Sequence, residues 1–327
     1  MAYSREELMQ LVQGVASDYE KLENELKKAV IGQDEAVRTA LAALILGGHV
    51  LVEGLPGTGK TFLGTSLSQI VTLSSTRIQC TPDLMPTDII GTYVIMETAQ
   101  GRRAFEFQKG PIFGSIVLVD QINRTTPRTQ SAMLEAMEQG AVTVSSEVFD
   151  LPSPFTVIAT QNPLEQEGTF PLPEAQVDRF LFQTKMKMPT GAEMTQILQR
   201  ATGAEKVMIR SVMDGKRVLK MRDIIRNITI SDDLCQWCVA VMEKSQPTGA
   251  KAPQSVKDFV RYGIGPRGVQ GLVLAAKFCA AIETRLEVTK NDLTKMALQT
   301  LRHRIFLNFR GEAEGVSKDE ILGEILK

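Results

Sequence analysis

The residues best suited to chemistry form a glycine-rich stretch, GLPGTGKT, at residues 54–61. The stretch fits the pattern G-x-x-x-x-G-K-[ST] and lies between a short apolar run and a helical pattern, as a phosphate-binding loop does. Glycines in such a loop let backbone N–H groups turn inward around phosphate oxygens. Lys60 would supply a cation to the β- and γ-phosphates, and Thr61 a hydroxyl ligand for Mg²⁺. A chance glycine-rich turn is the alternative, and the flanking elements argue against it.

A second group fits the same chemistry. Asp120 ends the apolar run IVLVD at residues 116–120, and a buried strand that ends in a carboxylate completes the Mg²⁺ shell in P-loop enzymes. The sequence therefore predicts an ATP·Mg²⁺ site with Thr61 and Asp120 as metal ligands. The other predicted nucleotide-binding residues around the loop are Gly54, Pro56, Gly57, Thr58, Gly59, Lys60 and Phe62.

Alternating strand and helix patterns must position these groups. The predicted strands are residues 49–54, 77–81, 115–120, 155–162 and 180–186, with a helix at 129–140 between the third and the fourth. Such alternation predicts a parallel, doubly wound α/β sheet over residues 30–188.

The two ends of the chain are predicted to be helical. Residues 1–29 form a charged N-terminal segment, followed by a helical pattern at 32–46. After Pro189 the strand signals largely vanish, which predicts a separate all-helical domain at 189–327. Its predicted helices are 191–202, 219–226, 231–245, 253–262, 267–286 and 290–304.

The bulk composition is that of an ordinary globular protein. The 327 residues include 37 basic and 38 acidic ones, so the charge balance does not favour nucleic acid or anionic membrane as the main partner. We expect neither a signal peptide nor a membrane-spanning segment, and four cysteines without a disulfide framework favour the cytoplasm. Cys235 and Cys238 have the spacing of a redox motif, but their helical context predicts a buried helix face instead of a redox or metal site.

Several long motifs together resemble the MoxR family of AAA+ ATPases. They follow one another in the expected order at residues 54–61, 79–91, 117–124, 129–138, 159–163 and 162–180, and the resemblance as a whole covers nearly the entire chain. The resemblance implies a P-loop NTPase of the AAA+ αβα type, with a five-stranded parallel core sheet and a C-terminal helical lid. It also implies self-assembly into a hexameric ring.

The resemblance assigns roles to further residues. Asn162 would be the sensor residue that orients water beside the γ-phosphate. Arg179 would be the arginine finger that reaches the nucleotide of a neighbouring subunit, with Arg124 as a second candidate. Arg267 would approach the phosphates of its own chain from the start of a lid helix. For each arginine the alternative is an ordinary solvated side chain. The adenine-contacting stretch would be Val30, Ile31 and Gly32.

Two segments resemble insertions of that family. Residues 85–107 include Gly91, a Gly101-Arg-Arg turn and an alternating run, which predict a hairpin, and residues 141–155 predict a second one. In related rings such insertions face the central pore or the client protein. Ordinary surface hairpins are the alternative.

Gln121 departs from the family pattern, which normally has glutamate after Asp120. An amide can orient water but is a very poor proton acceptor near neutral pH. Since general-base help is worth about 10²–10⁴ in rate, we expect tight ATP·Mg²⁺ binding with slow turnover. Glu135 or Glu138 could supply a carboxylate instead, or the phosphate itself could activate the water.

The resemblance implies a chaperone-like ATPase that remodels or matures protein complexes, with a von Willebrand factor A-domain protein as a partner. The alternative is a scaffold that binds ATP, assembles and signals with negligible hydrolysis. A nucleic-acid machine is a third interpretation, which the neutral charge balance disfavours.

Overall fold

A five-stranded parallel sheet forms the centre of the molecule. The computed structural model describes residues 3–97, 103–163, 168–203 and 208–327. The sheet strands are β1 (Val50–Gly54), β2 (Ser75–Gln79), β3 (Ile116–Asp120), β4 (Thr156–Gln161) and β5 (Phe182–Met186). Their order across the sheet is β5-β1-β4-β3-β2, and every pairing is parallel. All five predicted strands are confirmed, and the carboxyl ends of β1, β4 and β3 lie side by side.

Helices cover both faces of the sheet. The helices of this part are α1 (Arg5–Ala29), α2 (Asp34–Leu46), α3 (Lys60–Ile70), α4 (Pro86–Ile90), α5 (Pro127–Gln139) and α6 (Glu174–Val177). Along β1, Val50 and Val52 belong to one buried core and Leu51 to the other. A strand that is apolar on both sides is typical of a parallel sheet buried between two layers.

Both predicted hairpins are present and pack together. The first pairs Gly91–Glu97 with Arg103–Lys109, and the second pairs Ala141–Val144 with Glu147–Asp150. The ring of Phe107 stacks on that of Phe149 with centroids 4.2 Å apart, and the Tyr93 hydroxyl donates a 2.6 Å hydrogen bond to Glu147. The two insertions therefore form one unit. Residues Gly101 and Arg102 of the predicted turn lie outside the described residues.

The C-terminal part is mainly helical, as predicted. Its helices are α7 (Gly191–Thr202), α8 (Gly215–Arg226), α9 (Asp232–Lys244), α10 (Gln254–Phe259), α11 (Pro266–Ile282), α12 (Lys290–Leu301), α13 (Phe309–Ala313) and α14 (Lys318–Ile325). Two short strand pairs accompany them, Val71–Thr72 with Met213–Asp214 and Val260–Tyr262 with Phe306–Leu307. A short 3₁₀ turn at Arg302–Arg304 belongs to this part. Two more, at Pro111–Phe113 and Ile122–Arg124, lie before and after β3 in the sheet part.

Some predicted boundaries were wrong for identifiable reasons. The helix predicted at 267–286 ends at Ile282, because Thr284 adopts a left-handed backbone with φ of 55°. The helix predicted at 253–262 ends at Phe259, where the chain turns into a strand. Cys238 is buried as predicted, whereas Cys235 is exposed. Helices α13 and α14, of five and eight residues, were not predicted from the sequence.

Candidate nucleotide site

The glycine-rich loop joins β1 to α3 in the arrangement that the motif predicts. Gly57 and Gly59 have φ angles of 82° and 90°, in the left-handed region that glycine adopts without strain. The Thr58 hydroxyl donates to the Leu55 carbonyl at 2.8 Å and closes the loop. Lys60 Nζ donates to the carbonyls of Gly54 and Leu55, the latter at 2.9 Å. The loop thus holds its ammonium group beside the N-terminus of α3, where an anion is favoured.

Asp120 receives three hydrogen bonds at the carboxyl end of β3. Thr61 Oγ1 and Arg77 Nη2 lie 3.0 and 2.7 Å from Oδ2, and Thr160 Oγ1 lies 2.7 Å from Oδ1. Burial acts to raise the pKa of this carboxyl, but the bonds from Thr160, Arg77 and Thr61 outweigh it and lower the pKa. Asp120 is therefore an anion at neutral pH and sits next to the Thr61 hydroxyl, as a pair of Mg²⁺ ligands would.

Gln121 occupies an unusual position directly after this strand. Its φ and ψ are 57° and 56°, a left-handed conformation that is uncommon for a residue other than glycine. Its N–H donates to Thr160 Oγ1 at 2.9 Å, and its side-chain oxygen accepts a 3.1 Å hydrogen bond from Arg124 Nη1. Arg124 is therefore turned onto Gln121 of its own chain.

Asn162 and the loop before α2 lie at the same edge of the sheet. Asn162 directly follows β4 and is buried. The Gln33 side chain donates to the Lys187 carbonyl at 2.7 Å and accepts from the Lys187 N–H at 3.2 Å, just beyond β5. Since Met186 is the register partner of Gly54, the stretch Val30, Ile31 and Gly32 lies on the P-loop side of the sheet.

Arg179 and Arg267 meet at the amino ends of the strands, opposite the carboxyl ends where the P-loop lies. Arg179 precedes β5, and its guanidinium lies 2.9 Å from a carboxylate oxygen of Glu138. Arg267 lies 2.6 Å from the other oxygen of Glu138 and 3.9 Å from Asp178. These contacts lower the pKa of Glu138, with the hydrogen bond from Arg267 as the largest cause and the charge of Arg179 next.

The length of the strands separates Glu138 and its two arginines from the P-loop. The residue before β1, His49, contacts the Met137 carbonyl near the end of α5, so Glu138 lies at the amino ends of the strands. Five residues of β1 separate those amino ends from the P-loop, or about 16 Å at the usual rise of a strand. The resemblance predicted that Arg267 approaches the phosphates of its own chain. The structure instead places Arg267 beside Glu138, at the other end of the strands from the phosphate loop. The ion pair of the buried Arg304 with the partly exposed Asp178, at 2.7 Å, fixes the segment before β5 against the helical part.

Two polar residues of the site were missed from the sequence. Thr160 links Asp120 to the backbone of Gln121, and Arg77 pairs with Asp120 from the edge strand β2. A threonine and an arginine within strands carry no motif of their own. Only their register beside β3 shows that they point at the carboxylate.

Comparison with known proteins decides the family. A family model described as the ATPase family associated with various cellular activities (AAA) matches residues 49–182, and a model of the AAA lid domain matches residues 254–325. Chaperone MoxR1 of Mycobacterium tuberculosis is 35% identical over 318 residues, which cover 96% of this chain and 83% of the relative. The chain belongs to the MoxR-type AAA ATPases.

Other MoxR-type proteins and a solved structure agree. Protein MoxR of Methylorubrum extorquens is 29% identical over 303 residues, 88% of this chain and 87% of its own. A crystal structure from Cytophaga hutchinsonii superposes with a TM-score of 0.89 at 34% identity, covering 97% of this chain and 96% of the other. The predicted family and fold, a parallel α/β AAA core followed by a helical lid region, are thereby confirmed. Membership of the MoxR-type ATPases implies ATP hydrolysis, which uses Mg²⁺.

Of the helices in the described ranges, none combines the length and apolar character needed to cross a membrane.

Proposed function

We propose that this MoxR-type ATPase binds ATP·Mg²⁺ tightly, hydrolyses it slowly and works as a ring-forming, chaperone-like remodeller of protein complexes. The observation that carries the proposal is the convergence of Thr61, Arg77 and Thr160 on the anionic Asp120 beside the P-loop. A carboxylate and a hydroxyl 3.0 Å apart are oxygen ligands of the kind that Mg²⁺ prefers. When bound, Mg²⁺ would neutralise charge on the phosphate oxygens.

Each group of the chain then has a limited task. The P-loop N–H groups and Lys60 bind the β- and γ-phosphates, and the stretch 30–32 contacts the adenine. Thr61 and Asp120 hold the metal, while Asn162 orients the attacking water. Two observations support these roles: the positions of the P-loop, Asp120 and Asn162 at the carboxyl ends of β1, β3 and β4, with residues 30–32 near the end of β5, and the MoxR resemblance.

Slow turnover follows from the side chain at position 121. Gln121 has no carboxylate to accept a proton, and its amide oxygen already accepts a bond from Arg124. Glu138 cannot replace it within the chain, because this carboxylate lies at the amino ends of the strands, whereas Gln121 follows the carboxyl end of β3. Glu135 is on the same distal half of α5, beside Ile90 and Val142. Protein groups then contribute orientation and electrostatic stabilisation, and the phosphate itself takes up the proton.

We infer that Arg179 and Arg267 both serve a neighbouring subunit. They lie together at the edge that their own nucleotide does not occupy, and one carboxylate, Glu138, holds both guanidinium groups. In a hexameric ring this edge would face the P-loop of the next subunit. Two arginines would then stabilise charge on the transferring phosphoryl group from outside the chain.

The chaperone-like role comes from the relatives. MoxR1 is named a chaperone, and the paired hairpins of this chain supply a projecting surface with the exposed side chains of Ile95, Met96 and Phe105 for a client. We propose a protein client, with a von Willebrand factor A-domain protein as the partner class. The second candidate, a scaffold that binds ATP with negligible hydrolysis, is favoured only by Gln121.

Steady-state ATPase measurements of the wild type and the Gln121→Glu variant test the proposal. We expect a higher rate for the variant, up to the factor of about 10²–10⁴ that a general base supplies. The exposed Gln236 offers a matched control, since Gln236→Glu adds the same charge far from the site. Equal rates for all three proteins would refute the role given to Gln121. A wild type without turnover, with or without client, would favour the scaffold.

A further inference from the structure

Glu138 lies in the last turn of α5, where the helix dipole disfavours a negative charge. Both oxygens of its carboxylate are engaged: one is 2.6 Å from Arg267 Nη2 and the other is 2.9 Å from Arg179 Nη2. The neighbouring Met137 carbonyl accepts a hydrogen bond from the buried His49, which fixes the end of α5. The carboxylate therefore serves the two arginines better than it serves the helix that carries it.

A single buried arginine holds the backbone beside both of these guanidinium-bearing residues. Arg304 is 2% exposed and donates to the carboxylate and the carbonyl of Asp178, directly before Arg179. Directly after Arg267, Gly268 packs so closely on Arg304 that a Cβ at this position would lie 2.7 Å from its Cδ. The backbone positions of Arg179 and Arg267 are thereby fixed relative to each other, which leaves their long side chains to be oriented.

Orienting these two side chains requires a negative charge between them. Guanidinium groups repel each other, and each sits on a chain of several rotatable bonds. The nearby acid Asp178 is 3.9 Å from Arg267 and is already paired with Arg304 at 2.7 Å, so it cannot hold both arginines as Glu138 does. A guanidinium has five N–H donors, and the contact with one carboxylate oxygen leaves donors for an incoming phosphate.

We propose that Glu138 is a positioning residue for ATP hydrolysis in the neighbouring subunit. This role rests on the proposed function, in which Arg179 and Arg267 reach the nucleotide of that neighbour. Glu138 offsets the repulsion between the two guanidinium groups and directs them together toward one γ-phosphate. Its effect is therefore on the rate of phosphoryl transfer next door, and not on the affinity of its own P-loop for ATP.

Steady-state ATPase and nucleotide-binding measurements on the Glu138→Gln variant test this role. We expect kcat to fall about 10- to 100-fold, as for a reacting group displaced by about 1 Å, with the KM and the affinity for ATP unchanged. Ion pairs of an exposed side chain add little to stability, so urea unfolding should be unchanged as well. Glu20→Gln removes the same charge at an exposed position of α1 and should keep the wild-type kcat. The role is refuted if Glu138→Gln keeps the wild-type kcat, or if the loss is in ATP affinity.

Mixed assemblies show on which side of the interface Glu138 acts. A Glu138→Gln chain has an intact P-loop, and a Lys60→Ala chain has an intact arginine pair. Their mixture therefore regains complete sites and should exceed the activity of the Glu138→Gln chain alone. If Glu138 acted on the nucleotide of its own chain, the Lys60→Ala chain could only dilute the activity. A mixture with Arg267→Ala should show no gain, since both defects then lie at the amino ends of the strands.

The Arg267→Ala chain separates failure of this role from failure of the proposed function. Full activity of Arg267→Ala alone, or no gain when it is mixed with Lys60→Ala, refutes the action of the arginines across the interface, and the role of Glu138 falls with it. A wild type without turnover has the same consequence. A gain in the Arg267→Ala mixture without a gain in the Glu138→Gln mixture refutes the role of Glu138 alone.

Discussion

Thr160 and Asp120 share a buried hydrogen bond of 2.7 Å, from the threonine hydroxyl to Asp120 Oδ1. The same hydroxyl accepts the N–H of Gln121 at 2.9 Å. One side chain of β4 therefore fixes both the orientation of the carboxylate and the left-handed backbone of the residue after it. This arrangement gives Thr160 a part in the site that its residue type alone does not suggest.

Thr160→Val should remove that support while keeping the shape of the side chain. We expect a loss of about 1–3 kcal/mol in the free energy of unfolding, because a buried carboxylate oxygen and an N–H lose their partner. Affinity for ATP in the presence of Mg²⁺ should fall as well. Chemical denaturation and equilibrium nucleotide binding measure the two effects.

The same strand contains a matched control. Thr156 is equally buried, but its hydroxyl has no hydrogen-bond partner. Thr156→Val should therefore be neutral or stabilising and should leave nucleotide affinity unchanged. If both variants lose the same stability, the hydrogen bonds of Thr160 are not the cause.

A mixing experiment should show whether Arg267 acts across the subunit interface. Lys60→Ala and Arg267→Ala chains should each be nearly inactive alone, with losses on the order of 10³-fold for a lost arginine contact. When the two are mixed, an Arg267→Ala subunit beside a Lys60→Ala subunit regains one complete site if the arginine serves its neighbour. We expect partial recovery of ATPase activity.

Asp120→Ala supplies the negative control for mixing. Lys60 and Asp120 belong to the same edge of one chain, so Lys60→Ala and Asp120→Ala chains form no complete site in any order. Recovery in this control, or none in the Arg267 mixture, would contradict the assignment of Arg267 to the neighbouring nucleotide.

His49 should make the protein less stable in mild acid. Its Nδ1 accepts the Val157 N–H at 3.0 Å, and its Nε2 donates to the Met137 carbonyl. Burial lowers its pKa to about 4, whereas the unfolded chain takes up the proton near the ordinary value of 6.5. The stabilisation is complete above pH 6.5 and is lost as the pH falls toward 4, by about 3 kcal/mol in all.

Urea unfolding at several pH values between 7.5 and 5 measures this effect. His49→Asn should show a weaker decline with falling pH than the wild type. His303, the other of the two histidines, is present in both proteins and cancels in the comparison. Parallel curves would exclude His49 as a source of the acid sensitivity.

The contact between the two hairpins should be open to direct test. Phe149→Ala removes the ring on which Phe107 stacks, worth about 0.5–1.5 kcal/mol beyond its buried area. We expect faster proteolysis within the hairpin 91–109 and unchanged ATP binding. Val148→Ala, at an exposed neighbouring position, should leave the rate of cleavage as it is. Equal cleavage in the two variants would mean that the hairpins do not support each other.

The sequence predicted what depends on local pattern. The P-loop, Asp120 and the five strands each follow from a short run of residues in a fixed order. Thr160 and Arg77 could not be found in this way, because their role depends on the register of β4 and β2 against β3.

The position of Arg267 shows a second limit. The sequence indicated a helix that starts near Pro266, but it did not indicate which residue Arg267 contacts. That partner is Glu138, 129 residues earlier, and the approach is set by packing of the helical part on the segment before β5. The exposed Cys235 illustrates the same point, since a helical period predicts a face and does not define its width.

Helix α1 contacts helices of both the sheet part and the helical part. At 25 residues it is about 37 Å long, and it packs against α3, which begins at the P-loop, and against α11, which begins beside Arg267. Tyr19 of α1 meets Phe278 of α11 edge-on at 5.3 Å, and Asp18 pairs with Arg217 of α8. The N-terminal helix therefore connects α3, the helix that follows the phosphate loop, to α8 and α11 of the helical part. A movement of the helical part relative to α3 has to break these contacts or take α1 with it.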